Sequence, residues 1–309
     1  MATSFAYAHP HSLDADDILA GLRAPRKRLP SRLLRTELVE RICRLDAYYP
    51  ARLEQALLAE NIANIAHQVG PHARVIEPGG GEGVKTRMLL HALEQPRMYV
   101  PVDTAHDQLL RTAAALRADL PDLEVSPVTH DYTQMFDLPV PQHAIAQTLV
   151  FVPGSMVGGF EPSEARTMLA QLGQIAGPDR LLLLGADATR DVDAITRAYD
   201  DEMFTKHILA RLNATRGATF DLDGFEHRAV WNAASSRIEL SLVSRSRQVV
   251  QLDNDVIAFA RGESIDVSYS YKHTPAAMQA ILLGAGWRLR QVFTSRERPV
   301  RLWLGEPLR

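Results

Sequence analysis

From Arg74 onward the chain alternates short apolar runs with longer stretches in which apolar residues recur every three or four positions. The first pattern predicts strands and the second amphipathic helices. Val75, Val100 and Val125 mark strands over 74–77, 98–102 and 125–129, and further strands are expected over 147–152 and 181–186. Helices are expected between them, at about 84–93, 105–120 and 162–175. The unbroken run Leu181-Leu182-Leu183-Leu184 suits a strand covered on both faces. Strands alternating with helices predict a doubly wound parallel sheet. After Asp187 the pattern changes. Residues 191–216 predict one long helix with Val192, Ile195, Tyr199, Ile208 and Leu212 on a shared face. Residues 225–260 predict antiparallel strands at 226–231, 237–246 and 248–252, outside the parallel sheet. A helix over 274–283 and a strand pair at 287–294 and 300–305 close the chain. Upstream, 1–12 is expected to be a loose arm, and Asp14 or Asp16 to cap a short helix through Leu22. Residues 36–45 are amphipathic, with Leu38, Ile42 and Leu45 at helical spacing, and a long helix runs from 51 to about 68.

The densest chemistry lies where the first strand ends. Glu77-Pro78-Gly79-Gly80-Gly81-Glu82-Gly83 places four glycines in five positions between a buried strand and a helix N-terminus. Such a turn lets backbone approach a ligand closely, at the carboxyl end of a parallel sheet. The dinucleotide fingerprint G-x-G-x-x-G fails in both registers, because its third glycine falls on Val84 or on Thr86. Glu77, Gly79 and Gly81 instead match the E-x-G-x-G pattern of S-adenosylmethionine (SAM) sites. A second acid, Asp103, ends the second strand, where ribose hydroxyls are expected. A third, Asp131, follows the third strand, and Tyr132 stands next to it as a base-stacking residue.

Composition narrows the setting. Lys and Arg total 34 against 37 Asp and Glu, a net charge of −3, so no global field draws the chain to nucleic acid or an anionic membrane. The basic run Arg23, Arg26, Lys27, Arg28, Arg32 and Arg35 lacks interleaved aromatics and is expected to be a solvated face. Cys43 is the single cysteine, which leaves no internal disulfide and no cysteine metal cluster. No H-E-x-x-H spacing supports a metal, and Gly154-Ser155-Met156-Val157-Gly158 does not fit the G-x-S-x-G of a hydrolase. With no signal-peptide pattern and no apolar run long enough to span a bilayer, a cytoplasmic location is expected.

Several stretches are specific. Arg44-Leu45-Asp46-Ala47-Tyr48-Tyr49-Pro50, 77–87, Arg197-Ala198-Tyr199-Asp200-Asp201, Phe220-Asp221-Leu222-Asp223-Gly224-Phe225-Glu226-His227 and Gly262-Glu263 are specific together; the tyrosine pair before proline and the Phe220–His227 run are not generic to methyltransferases. Through them the chain resembles the ergothioneine-pathway L-histidine N-alpha-methyltransferases from about Leu19 to its C-terminus. The resemblance implies an α/β architecture: a Rossmann-like SAM-dependent methyltransferase domain with a second, smaller α+β substrate-binding domain. The expected division is 13–51 with 190–272 for the substrate domain, and 52–189 with 273–309 for the SAM domain. Gly79, Gly81, Lys85, Asp103, Asp131 and Tyr132 fall on the family's SAM positions. Tyr48 and Tyr199 match the tyrosines that hold the amino-acid carboxylate, and Ser270 matches a serine lining the substrate side chain.

The same resemblance exposes departures in the run that holds Met156, carried as a pocket residue, and beyond it. Gly159 stands where the family has an asparagine for the α-amino group, Ser268 replaces the glutamate that grips the imidazole, and Leu240 replaces a methionine. A pocket tyrosine is missing near 32–36. A shift of register to Asp266 would restore an acid only through a bulge before Ser270. A site built on a buried hydrogen bond loses much affinity when the partner is removed. The expectation is therefore a SAM-dependent methyltransferase acting on a small free amino acid other than histidine, by S-methylation of methionine or N-methylation of another amino acid. Tyr269, Tyr271 and Phe160 would shelter a sulfonium. L-histidine N-alpha-methylation to a betaine is the alternative, and a non-enzymatic SAM-fold scaffold is a reading of another class. No nucleic-acid or membrane partner is expected; the oligomeric state is left open, with a monomer preferred.

Overall fold

The computed structural model describes residues 15–29, 41–80, 83–295 and 298–308. Its strands in chain order are β1 (Lys27–Arg28), β2 (Ala73–Pro78), β3 (Met98–Asp103), β4 (Glu124–Val125), β5 (Val128–Thr129), β6 (Gln147–Val152), β7 (Arg180–Asp187), β8 (Phe225–Asn232), β9 (Arg237–Ser244), β10 (Gln248–Leu252), β11 (Asp255–Phe259), β12 (Ser264–Tyr271), β13 (Trp287–Ser295) and β14 (Arg298–Pro307). The described residues divide into two compact units, one from 15–29, 41–49 and Arg190–Lys272, the other from Pro50–Thr189 and the residues from His273 onward.

The larger unit is built on a sheet of order β13-β14-β7-β6-β2-β3-β4, with β5 also pairing β3. Strands β2 to β7 run parallel, and β14 joins β7 antiparallel as half of the β13–β14 hairpin. Leu181 to Leu184 are buried, as a strand covered on both faces requires. Leu57, Ile65, Leu89 and Leu116, from three helices, share one core with Val75, Tyr99, Leu149 and Leu183 of the sheet. The third expected strand is split into β4 and β5, because Pro127 between them has no N–H to give to the ladder. Strand order reverses direction between β2 and β6, so a crevice opens outside their carboxyl ends.

The smaller unit is α+β. It holds a sheet of order β1-β12-β9-β8, the β10–β11 hairpin, and the helices Ala15–Arg23, Val192–Tyr199 and Met203–Arg216. One core gathers Ile18, Leu22, Ile208, Leu212, Phe225, Phe259 and Ile265. A second gathers Ile42, Ile195, Tyr199, Phe204, Ile238 and Leu240.

Three sequence expectations are corrected here. The long helix over 191–216 is two helices, broken at Asp200-Asp201-Glu202. Asp201 Oδ1 accepts the Met203 N–H at 2.8 Å and starts the second helix, while the Tyr199 carbonyl leaves the helical ladder to accept from His227 Nε2 at 2.9 Å. The basic run is not merely a solvated face: Lys27 and Arg28 pair in parallel with Ile265 and Asp266, and Lys27 and Arg26 form ion pairs with Glu263 and Asp266. Strands β11 and β12 also form where no strand was marked. Asp14 and residues 36–40 lie outside the described residues. No described helix is long and apolar enough to cross a membrane.

Candidate active site

In the larger unit the candidate cofactor residues line the carboxyl ends of successive strands. Gly79 follows β2 with φ +69° and donates its N–H to the Val102 carbonyl at 2.8 Å, and Gly83, also left-handed at φ +72°, starts the helix Val84–Ala92. Such backbone favours glycine. A Cβ at Gly79 would stand 2.6 Å from the Met156 methyl, and one at Gly80 would stand 2.7 Å from Pro101 Cβ. Gly81 lies outside the described residues. Glu77 is buried, and its Oε2 accepts from Thr86 Oγ1 at 2.6 Å and Tyr99 Oη at 2.9 Å. Burial lifts its pKa to about 7 against those two bonds. The acid thus ties β2, β3 and the following helix together around the turn.

Asp103 and Asp131 each shape the loop that follows. Asp103 Oδ1 accepts the Ala105 N–H at 2.9 Å, and burial raises its pKa. Asp131 Oδ1 accepts the Thr133 N–H at 2.9 Å and its hydroxyl at 2.6 Å, with Tyr132 buried beside it. Lys85 forms an ion pair with Glu54, its Nζ 2.9 Å from Oε1. Beyond β6, Gly154 and Ser155 are both left-handed, and Met156–Gly159 makes one 3-10 turn in which Gly159 is buried.

In the smaller unit the two expected tyrosines meet edge to face, with centroids 5.5 Å apart at 82°, and Phe204 packs against both. Tyr199 Oη and Ser270 Oγ are 3.1 Å apart. Lys272, fully buried, donates to Tyr199 Oη at 2.9 Å and to Ser270 Oγ at 3.2 Å. His227 braces the end of the Tyr199 helix, donating from Nε2 to the Tyr199 carbonyl, with Nδ1 2.9 Å from Thr205 Oγ1. Burial lowers its pKa, which keeps the ring neutral in that role.

The chain matches, over residues 14–307, the family model described as histidine-specific methyltransferase, SAM-dependent. The chain belongs to this family. It is 35% identical over 287 residues to the histidine N-alpha-methyltransferase of Mycolicibacterium smegmatis, with 88% of each chain covered. The protein of that name from Mycobacterium tuberculosis is 33% identical over 285 residues, with 87% of each covered. The N-methyltransferase imqF of Aspergillus flavus is 28% identical over 300 residues, covering 91% of this chain and 81% of its own.

The residues present fit the cofactor of this family. Gly80 has no room for a side chain, Gly79 is left-handed, and the strand-end acids Asp103 and Asp131 are buried at the same end of the sheet. Gly80→Ala is expected to weaken S-adenosylhomocysteine binding at least about 10-fold, because the rigid Pro101 ring cannot yield and the turn must move off β3. Titration calorimetry checks it; unchanged affinity would show that the turn is not part of the cradle.

On the amino-acid side one alternative is set aside and one expectation is corrected. β12 does carry a bulge, between Asp266 and Ser268, but it places Asp266 on the face away from Ser268 and Ser270, so the alternative register that would restore an acid there does not form. Ile265, Ser268 and Ser270 stand opposite Leu242, Leu240 and Ile238 on the core side, while Asp266 stands opposite Ser241 and pairs with Arg26. Tyr269 and Tyr271 share Asp266's face. Arg237 stacks on both rings, at 4.6 and 5.3 Å from their centroids, so they cannot shelter a sulfonium beside Ser268 and Ser270. Phe160 is buried in the other unit. Glu54, Phe204 and Lys272 were not marked in the sequence. The signal for Glu54 was a carboxylate on the apolar face of its helix, in step with Leu57, Leu58 and Ile65.

Proposed function

We propose that this methyltransferase transfers methyl groups from SAM to the α-amino nitrogen of L-histidine. The observation that carries the reading is the match to two proteins named as histidine N-alpha-methyltransferases over nearly the whole chain, with Tyr48 and Tyr199 kept and packed as a pair. The departures at Gly159 and Ser268 argued for another amino acid; the family favours histidine over methionine or any other acceptor. Ser268 is compatible with it, because a hydroxyl both donates and accepts and so pairs with either tautomer of a neutral imidazole. Ser268, Ser270 and Leu240 then face the side chain.

SAM, when bound, supplies an electrophilic methyl group on a sulfonium. Gly79, Lys85, Asp103, Asp131 and Tyr132 would hold it. The chain's remaining work is positional: Tyr48 and Tyr199 fix the carboxylate through stiff aromatic stems, which sets where the amine stands. The amine would have to be presented as its free base, forming its N–C bond as the S–C bond breaks; each of the first two transfers would release one proton to water, and the third would leave a quaternary nitrogen with none to release. Such an in-line displacement depends chiefly on orientation.

Mass spectrometry after incubation with SAM and each proteinogenic amino acid tests the reading. One to three methyl groups on histidine, located by fragmentation on the amino nitrogen, are expected. Histidine left inert while another amino acid gains a methyl would overturn it.

A further inference from the structure

We propose that Glu54 is a cofactor-binding residue: with Lys85 it forms a paired receptor for the amino-acid end of SAM, Lys85 taking the carboxylate and Glu54 the ammonium. The inference rests on the proposed placement of the nucleoside at Asp103 and Asp131.

Glu54 lies near the start of the helix Tyr49–Val69 and is 1% exposed. Its Oε1 accepts from Lys85 Nζ at 2.9 Å and from the Gly154 N–H at 2.6 Å. Its Oε2 is buried and has no hydrogen-bond partner among the described residues. An ionised oxygen kept from water without a donor is costly, so a carboxylate in this state marks a place where a ligand donor belongs. The Ser155 hydroxyl, next along the same turn, is also buried with no hydrogen-bond partner among the described residues.

The carboxylate is seated in a built recess. A Cβ at Gly185 of β7 would stand 2.5 Å from the Glu54 carboxyl carbon, so the acid occupies the space a β7 side chain would fill. Gly185 is not in the left-handed region, and this close approach is what its lack of a side chain serves.

Sheet order identifies the ligand group. Asp131 follows β5 and Asp103 ends β3, on one side of the β2 turn; Gly154 follows β6 and Gly185 lies in β7, on the other. A nucleoside resting on Asp103 and Asp131 sends its 5′ substituent across the glycine turn towards β6. In SAM that substituent ends in an α-carboxylate beside an α-ammonium. A cation beside an anion with one oxygen to spare is the complement of that zwitterion.

Titration calorimetry with two ligands tests this without any methyl transfer. S-adenosylhomocysteine carries the amino acid; 5′-methylthioadenosine keeps the nucleoside and lacks it. Glu54→Gln is expected to weaken S-adenosylhomocysteine on the order of 10–100-fold and to leave methylthioadenosine unchanged. Gly185→Ala, which displaces the carboxylate without removing it, is expected to give the same selective loss. Equal losses on both ligands, or no loss on either, overturn the proposal. So does unchanged S-adenosylhomocysteine affinity with a raised KM for histidine, which would assign Glu54 to the acceptor's amine. If Glu54→Gln does not fold, the wild-type protein decides: it should bind the deaminated analogue of S-adenosylhomocysteine on the order of 10–100-fold more weakly, and equal binding overturns the proposal. Asp103→Ala separates the two readings, since methylthioadenosine binding that survives it refutes the nucleoside placement and not the role of Glu54.

Discussion

Lys272→Met is expected to raise the KM for histidine on the order of 100-fold while leaving S-adenosylhomocysteine affinity unchanged. Lys272 Nζ gives one N–H to Tyr199 Oη at 2.9 Å and another to Ser270 Oγ at 3.2 Å. Those two oxygens, 3.1 Å apart, share one hydroxyl proton between them. The other hydroxyl proton then points outward, and the cluster as a whole is a donor beside a fixed positive charge. A carboxylate is the acceptor that suits it. Lys272 is fully buried, so solvent and salt screen its charge little. Charge-assisted bonds of this kind are worth about 1.5–3 kcal/mol each. Methionine keeps the length and apolar stem, and Tyr199 and Ser270 can still pair, so the loss falls on the carboxylate. Because the ammonium acts through Tyr199, it is a positioning residue and kcat should move far less than KM. Lys272→Gln, which keeps a donor and removes the charge, should fall between wild type and methionine. An unchanged KM in both variants would sink the idea, as would a matching loss of S-adenosylhomocysteine affinity, which would point to general damage.

The parallel sheet was legible because its strands are buried on both faces and so appear as unbroken apolar runs, Leu181 to Leu184 above all. The strand-end acids were legible for the same reason: Asp103 and Asp131 interrupt apolar runs at the ends of strands. In the smaller unit the signal was weaker. β12 carries Ser268 and Ser270 on alternate positions of its core side, with the buried Lys272 just past its end, which erases the apolar alternation a half-buried strand should show. Its bulge at Val267 then puts Asp266 on the wrong face for any reading that assumes a regular period. The break in the helix after Tyr199 was hidden because Asp200-Asp201-Glu202 is tolerable on a solvated helix; the bond that opens it comes from His227, on β8. Glu54 illustrates the same limit. A lone acid on an apolar helix face is visible, but its partners Lys85, Gly154 and Gly185 lie far along the chain and only the fold assembles them.

Replacing Glu77 by glutamine should make the apo-protein's stability respond to pH in a way the wild type's does not. The Glu77 carboxyl titrates near 4.5 when exposed and at about 7 when folded, because burial outweighs the bonds from Thr86 and Tyr99. Below pH 4.5 it is protonated in both states and costs nothing. As pH rises towards 7 the unfolded chain releases the proton while the folded chain retains it, so stability falls. Above about 7 both are ionised, and the full cost of about 3 kcal/mol is in place. His207 works in the opposite sense. Burial depresses its pKa from 6.5 to about 4, so the folded state refuses a proton that the unfolded state accepts, and stability is regained as pH rises through that interval. The two contributions overlap and oppose each other, which flattens the wild-type curve between about pH 5 and 6.5. Glu77→Gln removes only the first. A neutral amide oxygen still accepts from Thr86 and Tyr99, so the variant should match the wild type near pH 4 and gain on it steadily to about 3 kcal/mol at pH 8. Urea unfolding across that range measures the difference directly. Parallel curves would mean that Glu77 ionises near its ordinary value, and that a charge rather than a neutral carboxyl holds β2, β3 and the following helix together around the cofactor turn.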